Sequence, residues 1–186
     1  MNHSLYQETL NKLIAYGCID DLISCYVFEK EGPSQHITHA LKYQEYKSLG
    51  TELGKKIGGL IVDWNVKIDI IIPIPLHRIK YRERGYNQSD YIAQGIGSII
   101  GKPIMLDAVR RIRYTQTQTK LNLEERHINM KDAFETLPDA PGKLYGKTCL
   151  LVDDIITTGA TMNSCAVKIL KAGTFSIIAA SAGLAK

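Results

Sequence analysis

The sequence predicts an α/β fold, a mostly parallel sheet flanked by helices with a small N-terminal hood, and three observations carry that expectation. From about residue 36 onward, short apolar runs alternate with segments of helical period. The C-terminal third reads as one strand, helix, strand unit: TCLLVDD, then ATMNSCAVKILKAG, then TFSIIAASAG. A chain of 186 residues, 45% hydrophobic and 23% charged, is long enough for one sizeable core and suits a single compact domain.

Taken in order, residues 1–35 form the hood and 36–186 the core. Residues 36–62 carry Ile37, Leu41, Leu49, Leu53, Ile57, Leu60 and Ile61 at spacings mostly of three, four and eight, one apolar helix face. KIDIIIPIPL gives a strand over 68–74, closed by Pro73 and Pro75. YNQSDYIAQGIGSIIG repeats the helical period through Tyr91, Ile92, Ile96 and Ile99, and Gly101 with Lys102-Pro103 stops it. A second strand is expected over Met105 to Arg111. The polar stretch 112–131 offers few core anchors and reads as a long mobile loop, with a helical turn in NLEERH. LPDAPGKLYG is a turn-rich connector to the strand TCLLVDD. The helix that follows sets Met162, Cys165, Ala166, Ile169 and Leu170 on one face, with Lys168 and Lys171 near its end and Gly173 just past it.

Composition narrows the partners. The net charge of +4 is too mild to demand nucleic acid, yet it permits anionic ligands, and phosphates are favoured over DNA. Cys18, Cys25, Cys149 and Cys165 form no CxxC pair, which argues against a zinc site or a disulfide framework. No window approaches eighteen consecutive apolar residues and no leader pattern opens the chain, so a cytoplasmic protein without a membrane partner is expected.

The chemistry concentrates in LLVDDIITTGATM, Leu150 to Met162. A strand, two aspartates, a Thr-Thr-Gly turn and a helix place backbone amides and a positive helix end just beyond the strand's carboxyl edge. A phosphate suits that place. Gly159 lets the backbone approach an anion, while Thr157, Thr158 and Thr161 add hydroxyl donors. Asp153 and Asp154 would repel the phosphate on direct contact, and serve better as acceptors from a neighbouring diol or as holders of a divalent cation. A diol beside a phosphate describes ribose 5-phosphate. LLVDD also imitates the magnesium strand of phosphate-loop nucleotidases, and Gly142 to Thr148 their glycine-rich loop. That loop is one residue short between its glycines and runs into a strand where a helix is required.

LLVDDIITTGATM closely resembles the phosphoribosyl pyrophosphate motif of type I phosphoribosyltransferases. Together with HALKYQEYKSLGTELG, IIPIPLHRIKYRERGYNQ and RYTQTQTKL followed by Arg126, Asn129 and Phe134, it makes the chain similar to ComF family proteins from about Tyr26 onward. The resemblance implies the type I phosphoribosyltransferase fold and binding of phosphoribosyl pyrophosphate with magnesium. It implies that Asp153 and Asp154 hold the ribose hydroxyls, directly or through the metal, and that Thr157, Thr158, Gly159, Ala160 and Thr161 bind the 5-phosphate. It implies a pyrophosphate loop at Pro75, Leu76, His77 and Arg78. It also implies a flexible loop over 113–131, with Arg113, Thr115, Gln118, Lys120 and Arg126, that closes over the reacting bond. ComF proteins commonly begin with a cysteine-rich zinc element, which this chain lacks.

The expected reaction is displacement of pyrophosphate from the anomeric carbon by a nitrogen acceptor, with Asp153, Asp154 and Arg78 as the catalytic candidates. His77, His127 and Lys120 are candidates for proton transfer. The rival reading is a non-catalytic module that senses a ribose phosphate or supports DNA uptake. Arg78, Lys80, Arg82 and Arg84, interleaved with Tyr81 and Tyr86, supply its nucleic-acid version. A homo-oligomer is left open, and the acceptor is not legible.

Overall fold

A computed structural model describes residues 3–28, 47–113 and 132–185. Among the described residues twelve elements follow in order: α1 His3–Ile14, β1 Asp21–Phe28, α2 Lys47–Asp63, β2 Ile70–Pro73, α3 Arg78–Arg84, α4 Gln88–Ile100, β3 Val109–Arg111, β4 Phe134–Thr136, α5 Ala140–Leu144, β5 Thr148–Ile156, α6 Ala160–Lys171 and β6 Ser176–Ala185. The main sheet runs β1-β6-β5-β2 and every pairing in it is parallel. β3 and β4 form a separate antiparallel hairpin.

The strand pleat divides the core. Leu150 and Val152 of β5 join Ile71, Ile178 and Ala180 beneath α2 and α4, while Cys149 and Leu151 join Ile177, Ala179 and Ile72 beneath α1, α6 and the hairpin. Alternate residues of one strand thus feed two cores, which is why β5 reads as an unbroken apolar run. On the first face α2 and α4 meet backbone to backbone. A Cβ on Gly54 would stand 2.0 Å from the Ile92 carbonyl oxygen, and one on Gly95 would stand 2.1 Å from that of Thr51. Only glycines permit that approach.

Three boundaries differ from expectation, and a fourth falls partly outside the described residues. Of the helix expected over 36–62, residues 47–63 are helical and 36–46 lie outside the described residues. The strand expected over 105–111 divides: Ile104 bridges Ile71 in parallel, the chain turns at Leu106-Asp107, and only Val109–Arg111 extends, leaving the main sheet to pair with β4. β5 does not stop at the aspartates. Its ladder continues through Ile155 opposite Gly183 and Ile156 opposite Leu184, because β6 also runs on to Ala185. Within the stretch 1–35 expected as a hood, Asp21–Phe28 lies in the main sheet, in register with Ile178–Ala185. Helix α1 packs against it, the Tyr6 hydroxyl donating to the Leu22 carbonyl and Leu13 fully buried. Among the described residues no helix is long and apolar enough to cross a membrane.

Candidate phosphate and ribose site

β5 delivers the site and α6 completes it. After Ile156 the chain turns through Thr157, Thr158 and Gly159, and Gly159 adopts φ +76°, the left-handed region that favours glycine. The first helical bond runs from the Asn163 amide to the Gly159 carbonyl at 2.8 Å. The Ala160 amide leans on the Thr158 hydroxyl at 3.4 Å. The next amides belong to the group a helix start leaves without intrahelical acceptors. Asp153 and residues 155–162 line a concavity of about 30 Å³ there. Its scale is that of one or two water molecules, suited to a single phosphate group rather than a whole nucleotide.

The two aspartates take different positions. Neighbours on a strand alternate between faces, and Asp153 lines the concavity while Asp154 does not. Asp153 Oδ1 accepts from the Asp154 amide at 2.9 Å and from the Ser89 hydroxyl at 3.3 Å. Asp154 Oδ1 accepts from the Ile155 amide at 2.7 Å. Both carboxylates are therefore oriented by protein donors.

Beside them stands the loop expected to meet pyrophosphate. The Ile74 amide donates to the Val152 carbonyl at 2.8 Å, so Pro75 leaves β2 alongside Asp153. His77 caps α3, its Nδ1 accepting from the Ile79 amide at 3.3 Å. Arg78 is exposed, as is most of α3, none of whose residues is buried. Arg113 sits at the edge of the described residues; Thr115, Gln118, Lys120, Arg126 and His127 lie outside them.

Sequence reasoning missed two contributors. The first is the start of α4, where Asn87, Gln88 and Ser89 are 5%, 2% and 3% exposed, unusual burial for three consecutive polar side chains. Asn87 Nδ2 donates to the Ile74 carbonyl at 3.0 Å and to Asp90 Oδ1 at 2.7 Å, closing the base of the loop that holds Pro75 to Arg78. Burial raises the Asp90 carboxyl above its usual range, and the Asn87 bond pulls it back. The polar run after Tyr86 at a helix start was the available signal. The second is Arg111, whose guanidinium lies over the Phe134 ring at 5.5 Å. Burial lowers it from its usual range, opposed by Asp153 and then Cys165. The Cys165 thiol is in turn pushed up, by burial and then by Asp153, with Arg111 acting the other way. A second basic residue in VRR carried no sequence cue for this role.

A larger cavity of about 460 Å³ opens at the opposite, amino end of the sheet, between Ile61, Val66, Ile99 and Lys102. It is lined mainly by aliphatic side chains and has no phosphate turn. The smaller concavity has the donors and is taken as the site.

A family model described as a phosphoribosyl transferase domain matches residues 91–182. Among solved structures, the allosteric regulatory enzyme of purine biosynthesis covers 77% of this chain and 30% of its own, at TM-score 0.51 and 19% identity. The glutamine phosphoribosylpyrophosphate amidotransferase of B. subtilis is similar over 77% and 30%, at TM-score 0.50 and 18% identity. The chain is thus a type I phosphoribosyltransferase-like protein in fold. Competence protein F of Haemophilus influenzae is 35% identical over 105 residues, 56% of this chain and 45% of that protein. DNA utilization protein YhgH of Escherichia coli K12 is 34% identical over 110 residues, 59% and 46%. Competence protein ComFC of Bacillus subtilis is 29% identical over 104 residues, 56% and 39%. Within the wider class, the chain is similar to these competence and DNA utilization proteins. The matched region spans about half the length of these curated relatives, or less.

Proposed function

We propose that this chain binds phosphoribosyl pyrophosphate and transfers its phosphoribosyl group to a nitrogen acceptor. The observation that carries the reading is the concavity at the β5–α6 turn, where left-handed Gly159, three threonines and one wall carboxylate converge. The 5-phosphate takes the helix amides and threonine hydroxyls. Asp153 and Asp154 accept hydrogen bonds from the ribose hydroxyls. The pyrophosphate then extends toward Pro75 to Arg78, beside Asp153.

In the reaction a nitrogen lone pair forms the bond to the anomeric carbon, the carbon–oxygen bond to pyrophosphate breaks, and the leaving group departs with that electron pair. The nitrogen sheds its proton to solvent or a nearby base. Positive charge grows on the sugar in the transition state, and donors from the His77–Arg78 loop offset negative charge on the departing oxygens. Removing one such donor typically costs about 2.7 to 4 kcal/mol of barrier. Asp153, the carboxylate on the wall of the concavity, would offer a hard oxygen ligand to a magnesium ion whose remaining ligands water and substrate would supply. Among the described residues no group of three or more His, Cys, Asp or Glu could hold a metal unaided. When bound, the ion would neutralise charge on the pyrophosphate.

The deciding assay is pyrophosphate release from phosphoribosyl pyrophosphate across a panel of bases and amines. Release at background with binding intact removes the transferase reading and leaves a sensor. A second reading, a module that handles DNA, draws on α3: Arg78, Lys80, Arg82 and Arg84 share an unburied helix with Tyr81, itself 50% exposed. That reading predicts binding that weakens steeply with salt and ignores Asp154→Asn.

A further inference from the structure

We propose that Ser89, from the first turn of α4, is a positioning residue that makes Asp153 selective for ribose over 2-deoxyribose; this rests on the ribose 5-phosphate reading of the site. Asp153 is held from two sides. Its own strand supplies the Asp154 amide at 2.9 Å, and α4, 64 residues earlier in the chain, supplies the Ser89 hydroxyl at 3.3 Å to the same oxygen. One donor leaves a carboxylate free to swing about its χ angles, whereas two donors from different elements fix its plane. A fixed plane aims the acceptor lone pairs at one hydroxyl position, which is what discrimination against a missing hydroxyl requires.

The bracket behind Ser89 is rigid. Ser89 is 3% exposed, so water does not compete for Asp153 from that side. Asn87 ties the same helix start to the Ile74 carbonyl at 3.0 Å, and further along α4 the Gly95 backbone lies against α2. At 3.3 Å the Ser89 bond is long for a hydroxyl donor, as site hydrogen bonds often are before a ligand tightens them. Helix-start hydroxyls commonly serve their own backbone; this one reaches a neighbouring strand instead.

The test measures calorimetric affinities for ribose 5-phosphate, 2-deoxyribose 5-phosphate and inorganic phosphate in the wild type, Ser89→Ala and Ser89→Thr. The wild type is expected to favour the ribose compound, Ser89→Ala to narrow that preference by roughly two- to tenfold with inorganic phosphate affinity unchanged, and Ser89→Thr to restore it. An unchanged preference in Ser89→Ala overturns the proposal. So does a parallel loss of inorganic phosphate affinity, which marks a merely structural role, and so does a wild type that binds both sugars equally. A wild type that binds neither sugar phosphate overturns the ribose reading itself, a result distinct from the others.

Discussion

Replacing Gly54 by alanine sets two known effects against each other. In a solvent-facing helix the change stabilises by about 0.5–1 kcal/mol, because alanine loses less backbone entropy on folding. At Gly54 the new methyl would stand 2.0 Å from the Ile92 carbonyl oxygen and 2.9 Å from the Gly95 Cα, both backbone atoms that cannot rotate aside. Ordinary contact begins near 3.4 Å, so α2 and α4 must separate by more than an ångström. Overpacking of that kind costs about 1–3 kcal/mol, occasionally more, and at this distance the upper figure applies. The net loss is then about 2 kcal/mol, or a fall in Tm of roughly 4–8 °C for a chain of this size. Gly59 on the same helix is the control, since a Cβ there meets nothing within 4 Å; Gly59→Ala should raise Tm slightly. Scanning calorimetry on the two variants decides. A Gly54→Ala protein as stable as wild type would show that the two backbones do not touch, and with it the rigid support assigned to α4 would fall.

Other perturbations reach the site directly. Gly159→Ala forces a left-handed alanine whose Cβ also meets Leu13 Cδ2 at 2.7 Å; a stability loss of about 1–2 kcal/mol and weaker ribose 5-phosphate binding are expected, read by chemical denaturation and calorimetry. Asp153→Asn should weaken ribose 5-phosphate at least about tenfold, near 1.4 kcal/mol, and Asp154→Asn less, since only Asp153 lines the concavity; equal or absent effects would refute that ordering. Burial pushes the Cys149 thiol up to about 12, with Asp69 adding to it, and it raises Cys165 as well. Both should resist alkylation at pH 8 until the protein unfolds, as mass spectrometry of the native protein would record. Their folded values lie above the unfolded ones. The stability they contribute is full below the unfolded thiol range near pH 8.5 and is lost as pH climbs from there toward the folded values, which denaturation curves at pH 8 and 10 would show.

Much of the fold was legible because it rests on local patterns. The helix Ala160–Lys171 follows from its apolar face and the glycines that bracket it, and β2 from an apolar run ended by prolines. What misled was information held by a partner strand. Nothing in LLVDDIITTG says that the ladder continues past Asp154; it continues because Gly183 and Leu184 are there to receive Ile155 and Ile156. Likewise DLISCYVF resembles many apolar segments, and only its register with Ile178–Ala185 places it at the sheet edge. The site divides in the same way. The phosphate turn is a contiguous motif and could be read directly, whereas Ser89 and Arg111 reach Asp153 across more than forty residues of chain.

The continuation of β5 also explains how a strand tolerates two adjacent carboxylates. Were the strand to stop at Val152, both aspartates would sit in irregular backbone, solvated and interchangeable. Because the ladder runs to Ile156, the pleat separates them by face, and each Oδ1 finds an amide one residue on. The charge of Asp153 is further met by Ser89 and by the partly buried Arg111 guanidinium. Desolvating an acid beside a cation and two donors costs far less than desolvating it alone. The protein can therefore keep an oriented carboxylate at the wall of a phosphate-sized hollow, where an unsupported one would turn toward water.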